Sequence, residues 1–277
     1  APNTSTDRTI TLPDATATIA TTTDVAARLP SITDGGNATT MTIDASENVG
    51  IGVVPESTSI HSSYTSIDIA RGGAIAGHSA GNGIKILGNS YRTASGYAYK
   101  NTEPASLYAN DDGLHQFQVA PSGTADAAIS WTTAMSIDNS GRVTKPLQPA
   151  FDAYHAGTAY SSGTTPTTLD LNTTRLNNGN HYNTSTDRFV APVAGIYQFN
   201  YRTIIDGSHT SAQVKIFKNG AALTGASNHA SGPAGWGNIW VCVTVSLAVN
   251  DYIQAIHAAN TAIYGDSFQS FNGHLIG

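Results

Sequence analysis

The sequence predicts an all-β protein, and three observations carry that prediction. Charged residues make up only 12% of the 277, and Thr, Ser, Ala, Asn and Gly fill the chain instead. Such a composition gains little from helix and, through β-branched Thr, favours extended backbone. Apolar and polar residues alternate over short runs, as a strand with one covered face requires. Between the runs stand Asx-Gly and Asx-Ser turn signals, without a long helical pattern. The high charge or Pro and Glu content of a disordered chain is missing. The formal charge is −6, from 13 basic and 19 acidic residues.

Taken in order, three regions separate. Residues 1–50 are expected to form a fibre-shaft segment. Thr9-Ile10-Thr11-Leu12 and Ala15-Thr16-Ala17-Thr18-Ile19 alternate with very small apolar side chains. Thr23 is expected to cap one helical turn carrying Val25 and Leu29 before Pro30 ends it. So thin an apolar face does not offset the entropy of ordering a lone chain, so burial against copies of itself is expected. The sequence starts at Ala1 without an initiator Met or a charged-then-apolar start, so a cut inside a longer protein is expected, with a processed end as the alternative.

Residues 51–146 form an expected β-rich intermediate domain, bracketed by two similar strand–turn–strand units. One reads Met41-Thr42-Ile43-Asp44-Ala45-Ser46-Glu47-Asn48-Val49, the other Met135-Ser136-Ile137-Asp138-Asn139-Ser140-Gly141-Arg142-Val143. Both methionines hold the same place, and each Asp carboxylate is set to bond turn N–H groups where Gly or Asn tolerates positive φ. The copies lie too far apart for a solenoid repeat of about 20–50 residues. Between them come a glycine-rich piece, Arg71–Gly77, an aromatic stretch, Tyr91–Tyr99, and a strand, His115–Val119.

Residues 147–277 show longer strands: Gly195–Tyr201, Gln213–Phe217, Ile239–Leu247, Tyr252–Ile256 and Phe268–Ile276. Asn219-Gly220 suits a type I′ hairpin turn, and strands so spaced with no helix between them predict a sandwich.

This third region resembles the globular complement-q domain, a trimeric jelly roll related to the tumour-necrosis-factor fold. The likeness rests on Pro149-Ala150-Phe151-Asp152-Ala153-Tyr154, on Leu176 to Asn183, and on Phe189-Val190-Ala191-Pro192-Val193-Ala194-Gly195-Ile196-Tyr197-Gln198-Phe199. It continues through Lys218-Asn219-Gly220, Val245-Ser246-Leu247, Asn250-Asp251-Tyr252-Ile253 and Ser270-Phe271-Asn272-Gly273-His274-Leu275-Ile276. A collagen stalk is lacking. The first 146 residues look like modules common in bacteriophage fibres, through the Thr9–Thr16 and Ser136–Val143 runs. Together these resemblances imply N-terminal β-fibre modules, then a jelly-roll β-sandwich knob, assembled as a homotrimer.

In that family the inner sheet packs around a threefold axis. Ile239, Val241, Val243, Val245 and Leu247 share one face of a strand, leaving Trp240 and Cys242 on the other. Trp240 and Cys242 are therefore expected at the trimer interface, together with Tyr197 and Tyr201, for which core packing within one subunit is the alternative. Cys242 is the sole cysteine, so neither a disulfide framework nor a zinc cluster is expected.

Chemistry of the chain's own is not expected. The nine histidines form no His-x-x-x-His or His-Glu-x-x-His pair. Asp111-Asp112-Gly113 reads as a turn before a carboxylate pair for sugar cleavage. Gly72, Gly73 and Gly77 lack the strand–loop–helix setting of a phosphate cradle. A Gly-x-Ser-x-Gly elbow is missing, and no cofactor or metal is implied. With no basic stripe and no apolar run of spanning length, neither nucleic acid nor membrane insertion is expected.

Recognition is expected at one end of the sandwich, on loops near 156–168, 206–212, 228–238 and 258–267. These carry Tyr160, His209, Asn228, His229, Trp236, Tyr264 and Asp266. Aromatic rings beside amide, imidazole and carboxylate groups suit glycans or other polar surface epitopes. The expected protein is a phage tail fibre fragment, a receptor-binding protein of the virion acting outside the cell. It would join the tail through a missing N-terminal part and attach to a host-surface glycan or outer-membrane component. A tailspike-like polysaccharide depolymerase, a head fibre or decoration protein, and a secreted complement-q-domain lectin are the alternatives.

Overall fold

The computed structural model describes residues 31–33, 39–55, 63–157, 159–161, 167–205, 209–232, 235–259 and 262–277. The strands expected at Thr9–Leu12 and Ala15–Ile19, and the turn at Thr23, lie outside them. The all-β expectation holds: every described element is a strand except one 3-10 turn. Two compact units divide the chain, Ala1–Thr144 and Lys145–Gly277.

In the first unit the strands are β1 (Ser31–Thr33), β2 (Thr39–Ile43), β3 (Val49–Ile51), β4 (Tyr64–Ile69), β5 (Gly73–His78), β6 (Ile84–Gly88), β7 (Ser90–Thr93), β8 (Gly96–Tyr99), β9 (Ala105–Asp111), β10 (Leu114–Ala120), β11 (Thr132–Ile137) and β12 (Val143–Thr144). Ten form one sheet in the order β1-β2-β3-β4-β5-β6-β9-β10-β11-β12, while β7 and β8 make a separate hairpin. Position 50 falls inside β3. Among the described residues of this unit, only β3 and β4 run parallel.

The two sequence repeats fold alike, near opposite ends of this sheet. Ile43 pairs with Val49, and Ile137 with Val143. In the first turn Asp44 Oδ1 accepts from the backbone N–H of Ser46 at 2.8 Å and of Asn48 at 2.9 Å. In the second, Asp138 Oδ1 accepts from Ser140 at 2.9 Å and Arg142 at 3.0 Å. Asp112-Gly113 is likewise a turn, both residues at positive φ, between β9 and β10.

The polarity of the sheet's two faces reverses the usual order. The covered face holds Ala74, Ala76, Leu87, Leu107 and Ala109 under Tyr64, Tyr97 and Trp131. It also buries Ser66, Asp68 and Lys85. Asp68 pairs with Lys100 at 3.3 Å, and Lys85 pairs with Asp111. Buried ions need such partners, because an unpaired one costs several kcal/mol. The opposite face carries Ile67, Ile69, Ile75, Ile84 and Ile86, all 39–55% exposed.

In the second unit the strands are β13 (Ala150–Tyr154), β14 (Ala159–Ser161), β15 (Thr167–Thr168), β16 (Thr173–Asn178), β17 (Tyr182–Asn183), β18 (Arg188–Val190), β19 (Gly195–Ile205), β20 (His209–Lys218), β21 (Ala221–Gly232), β22 (Gly237–Leu247), β23 (Tyr252–Ala259), β24 (Ala262–Tyr264) and β25 (Ser270–Leu275). One sheet has β16, β13, β25, β19 and β22 side by side, with β24 and β14 continuing beyond β25 and β13. The other runs β17-β18-β23-β20-β21, with β15 also on β23. Lys218 pairs with Ala221 around Asn219-Gly220, whose positive φ values of 52° and 82° are the type I′ geometry the dipeptide predicts.

The two sheets enclose a core of aromatic rings. Phe151 stacks on Tyr182 at 4.8 Å and on Phe189 at 5.1 Å, and meets Phe271 edge-on at 5.1 Å. Tyr197 and Tyr201, expected at a subunit interface, belong to this core at 0% and 1% exposure. That expectation is corrected: both point between the sheets, where the alternation of β19 sends every second residue. The Tyr197 hydroxyl donates to the Val193 carbonyl at 2.8 Å, and the Tyr201 hydroxyl accepts from Gln269 at 2.9 Å.

Candidate functional site

The site arises where two neighbouring strands break at the same level. β13 pairs with β25, and β14 pairs with β24, so residues 155–157 and 265–269 interrupt adjacent strands side by side. The interruptions are tied together. Asp266 N–H donates to the His155 carbonyl at 2.7 Å, and His155 N–H donates to Gln269 Oε1 at 2.9 Å. Gly265 leaves room for this approach, since a Cβ there would stand 2.5 Å from the Gly157 carbonyl oxygen and 2.6 Å from that of His155. Between the ties the chain makes a 3-10 turn over Asp266–Phe268, with Asp266 at φ 52°.

Arg175 on β16 braces the turn from the adjoining strand. Its guanidinium donates to the Asp266 carbonyl at 2.7 Å and the Gln269 carbonyl at 3.2 Å. The same group lies 3.9 Å from the centre of the Tyr154 ring and 3.4 Å from the Asp152 carboxylate. A planar donor fork stacked on an aromatic face suits this position better than a lysine would.

The turn presents three rings. Trp236 stacks on Tyr264 at 5.1 Å and 28°, and meets Phe268 edge-on at 5.6 Å and 90°. Tyr264 and Phe268 are themselves edge-to-face at 6.1 Å. Even so packed, Trp236 stays 61% exposed. Gly237 pairs with Ile205 and Tyr264 with Ile204, so the rings stand where β19 ends, opposite its start beside Leu275. Nearby, His155 Nδ1 lies 3.2 Å from the Asp170 carboxylate. Burial raises the Asp187 carboxyl to about 6, against the Leu171 N–H it accepts.

Of the seven residues expected to recognise a partner, the structure brings Trp236, Tyr264 and Asp266 together. Tyr160 lies on β14, paired with Ile263 next to Tyr264, and His209 pairs with Gly232; both side chains lie outside the described residues. Asn228 and His229 do not sit on a loop as expected, because β21 continues to Gly232. Asn228 instead links the two sheets, its amide donating to the Trp240 carbonyl at 2.8 Å, and the His229 ring lies against the Gln213 amide. Phe268, Arg175 and Gln269 escaped the sequence reading. Phe268 looked like the start of a strand, and no local pattern marks the break after Tyr264.

Trp240 and Cys242 point away from the sandwich on the outer face of β22, with Trp240 58% exposed. Around them the face is polar. Gln198 donates to Cys242 Sγ at 3.4 Å, and Asn200 donates to Asn272 at 3.2 Å. Ser270 then donates to Asp152 at 2.7 Å.

Sheets of seven and six strands thus enclose the aromatic core. Residues 150–276 match the family model of the C1q domain. Over those residues the second unit is thus similar to the C1q domain. Solved structures similar to the chain include the globular domain of zebrafish complement 1qA protein, at 18% identity, covering 47% of this chain and 98% of that one with a TM-score of 0.37. An Eiger TNF from S. frugiperda is 7% identical, covering 47% and 93%, with a TM-score of 0.39. Murine APRIL is 12% identical, covering 47% and 99%, with a TM-score of 0.39. No curated protein matches the chain.

Proposed function

We propose that the chain is a homotrimeric adhesin, the receptor-binding part of a bacteriophage tail fibre, which holds a host-surface glycan on Trp236, Tyr264 and Phe268 without cleaving it. The observation that carries this reading is an indole 61% exposed yet fixed against two further rings on a braced turn. A ring already immobilised loses little entropy on binding. The C–H face of a sugar stacks on such a surface, and the exposed Asp266 carboxylate beside it accepts hydroxyl hydrogen bonds. In this reading neighbouring subunits cover Trp240 and Cys242, as the complement-q resemblance implies, and three tips act together outside the cell. Residues 1–50 serve as the link to the virion in this reading.

Adsorption of the full chain to host cells, with its mass followed by light scattering, tests the proposal. Trp236→Ala and Tyr264→Ala should each weaken binding about tenfold or more, roughly 1.4 kcal/mol per decade, with the mass of three chains kept. Unchanged adsorption in both variants removes the site. Reducing ends released from host glycan would replace the adhesin by a depolymerase.

A further inference from the structure

We propose that the open face of the N-terminal sheet is a contact between copies of this chain, with the isoleucine row of each copy seated on the same face of the next. The inference takes the number of copies from the homotrimer reading above; the face itself is argued independently.

Strand register places Ile67, Ile75, Ile86, Tyr108, Phe117 and Met135 directly opposite one another on β4, β5, β6, β9, β10 and β11. The result is one continuous apolar ridge running across six strands. Ile67, Ile75, Ile86 and Phe117 are 39–50% exposed. A soluble sheet with one open face turns polar side chains outward. This sheet does the reverse, for Asp68 and Lys85 lie on the covered side.

Next to the ridge runs a trough. The following row pairs Ile69 with Gly73, Gly73 with Gly88, Gly88 with Ser106 and Ser106 with Val119. Gly88 and Ser106 leave a groove bounded by Ile86, Tyr108, Phe117 and Val119. Neither row contains an ionisable carboxylate, lysine or arginine. A ridge of large side chains beside a parallel trough of small ones is self-complementary, because a second copy lays its ridge in the trough of the first and leaves its own trough for the ridge of a third. Uncharged, matched relief of this kind fits another copy of the same chain, the arrangement symmetric oligomers use. Apolar patches of such extent mark interaction surfaces in soluble proteins.

Hydroxyl-radical footprinting of the full chain, with light scattering on the same sample, tests the assignment. Phe117, Tyr108 and Met135 should be protected in the assembled chain and become reactive in Ile86→Lys. Because Ile86 faces outward, that substitution leaves the subunit's own packing intact, which the circular dichroism of the Tyr97–Trp131 cluster checks. As a second route, Ser106→Cys in the trough combined with Ile75→Cys on the ridge, in a Cys242→Ser background, should cross-link copies on mild oxidation. A mass of three chains with fully reactive rings and no cross-link would overturn this inference and leave the homotrimer standing. Protected rings in an assembly of two would keep the face and remove the trimer. A monomer with reactive rings removes both. Protection in a monomer that vanishes when residues 1–30 are deleted assigns the face to the chain's own N-terminal segment and overturns the proposal.

Discussion

At the scale of single residues, small side chains decide what the C1q-like core can hold. A Cβ on Gly273 would sit 2.4 Å from Phe199 and 3.0 Å from Phe151, both fully enclosed. The rings have no room to retreat, so Gly273→Ala is expected to cost about 1–3 kcal/mol through overpacking; a thermal midpoint equal to that of the wild type would contradict this. Titratable groups in the same unit oppose one another. Burial lowers His257 to about 4 from 6.5, so its contribution is full above pH 6.5 and is lost as pH falls toward 4. Burial raises Asp187 from 3.8 to about 6, so its cost is full above pH 6 and is relieved as pH falls toward 3.8. His181, lowered by burial, adds to the His257 direction. Replacing Asp187 by Asn keeps an acceptor for the Leu171 N–H and removes the charge. The variant should gain about 1–2 kcal/mol at pH 7, softened because water reaches the half-buried carboxyl. That advantage should fade toward pH 4, and melts at pH 7, 5 and 4 read the difference. Single residues were also where the sequence was least legible. Tyr197 and Tyr201 alternate with polar neighbours on any strand, and nothing in the sequence says whether the covered side is the subunit's own.

At the scale of elements, legibility follows the range of the interaction that shapes each one. The Asn219-Gly220 hairpin and the paired Asp44 and Asp138 turns are fixed within five residues, and their chemistry is visible along the chain. The long strands β19, β20, β22 and β23 are visible as alternation. The break that builds the ring cluster is not. It depends on residues 155–157 meeting residues 265–269, and on Arg175 reaching the second segment from a third strand. Trp236, Tyr264 and Asp266 stood out as exposed polar-loop aromatics and their neighbour, whereas Phe268 was hidden inside an apparent strand. The brace yields a prediction at this scale. Arg175→Ala removes two carbonyl contacts and a stacked cation, together about 1–2 kcal/mol of local order for a partly exposed group. Hydrogen exchange at residues 265–269 should accelerate, and sugar binding should weaken while β19 and β25 keep their protection. Arg175→Lys should restore little, because one ammonium cannot reach both carbonyls while stacked on Tyr154. Full rescue by Lys would show that charge alone holds the turn.

At the scale of the whole molecule, both units show surfaces that their own subunit leaves open: the isoleucine ridge of the first sheet and the Trp240–Cys242 face of the second. The 12% charged residues and the thin apolar patterning of the first region are what led to the expectation of a shared interior. Which sheet face would stay open was not legible, because alternation is symmetric between the two faces and only tertiary cover breaks the tie. If three copies associate, each assembly carries three Trp236 clusters, and the strength of attachment becomes a property of the assembly. Binding to a surface dense in receptor should exceed binding to the same glycan free in solution by about 10²–10⁴-fold, through the raised effective concentration after the first contact. Mixing wild-type chains with a Trp236→Ala excess before assembly should erode the surface affinity steeply, while the affinity of each remaining intact site for free glycan stays constant. Surface plasmon resonance at high and low receptor density separates the two quantities. Equal affinities at both densities would mean that each tip binds alone, and the gain ascribed to three joined subunits would disappear.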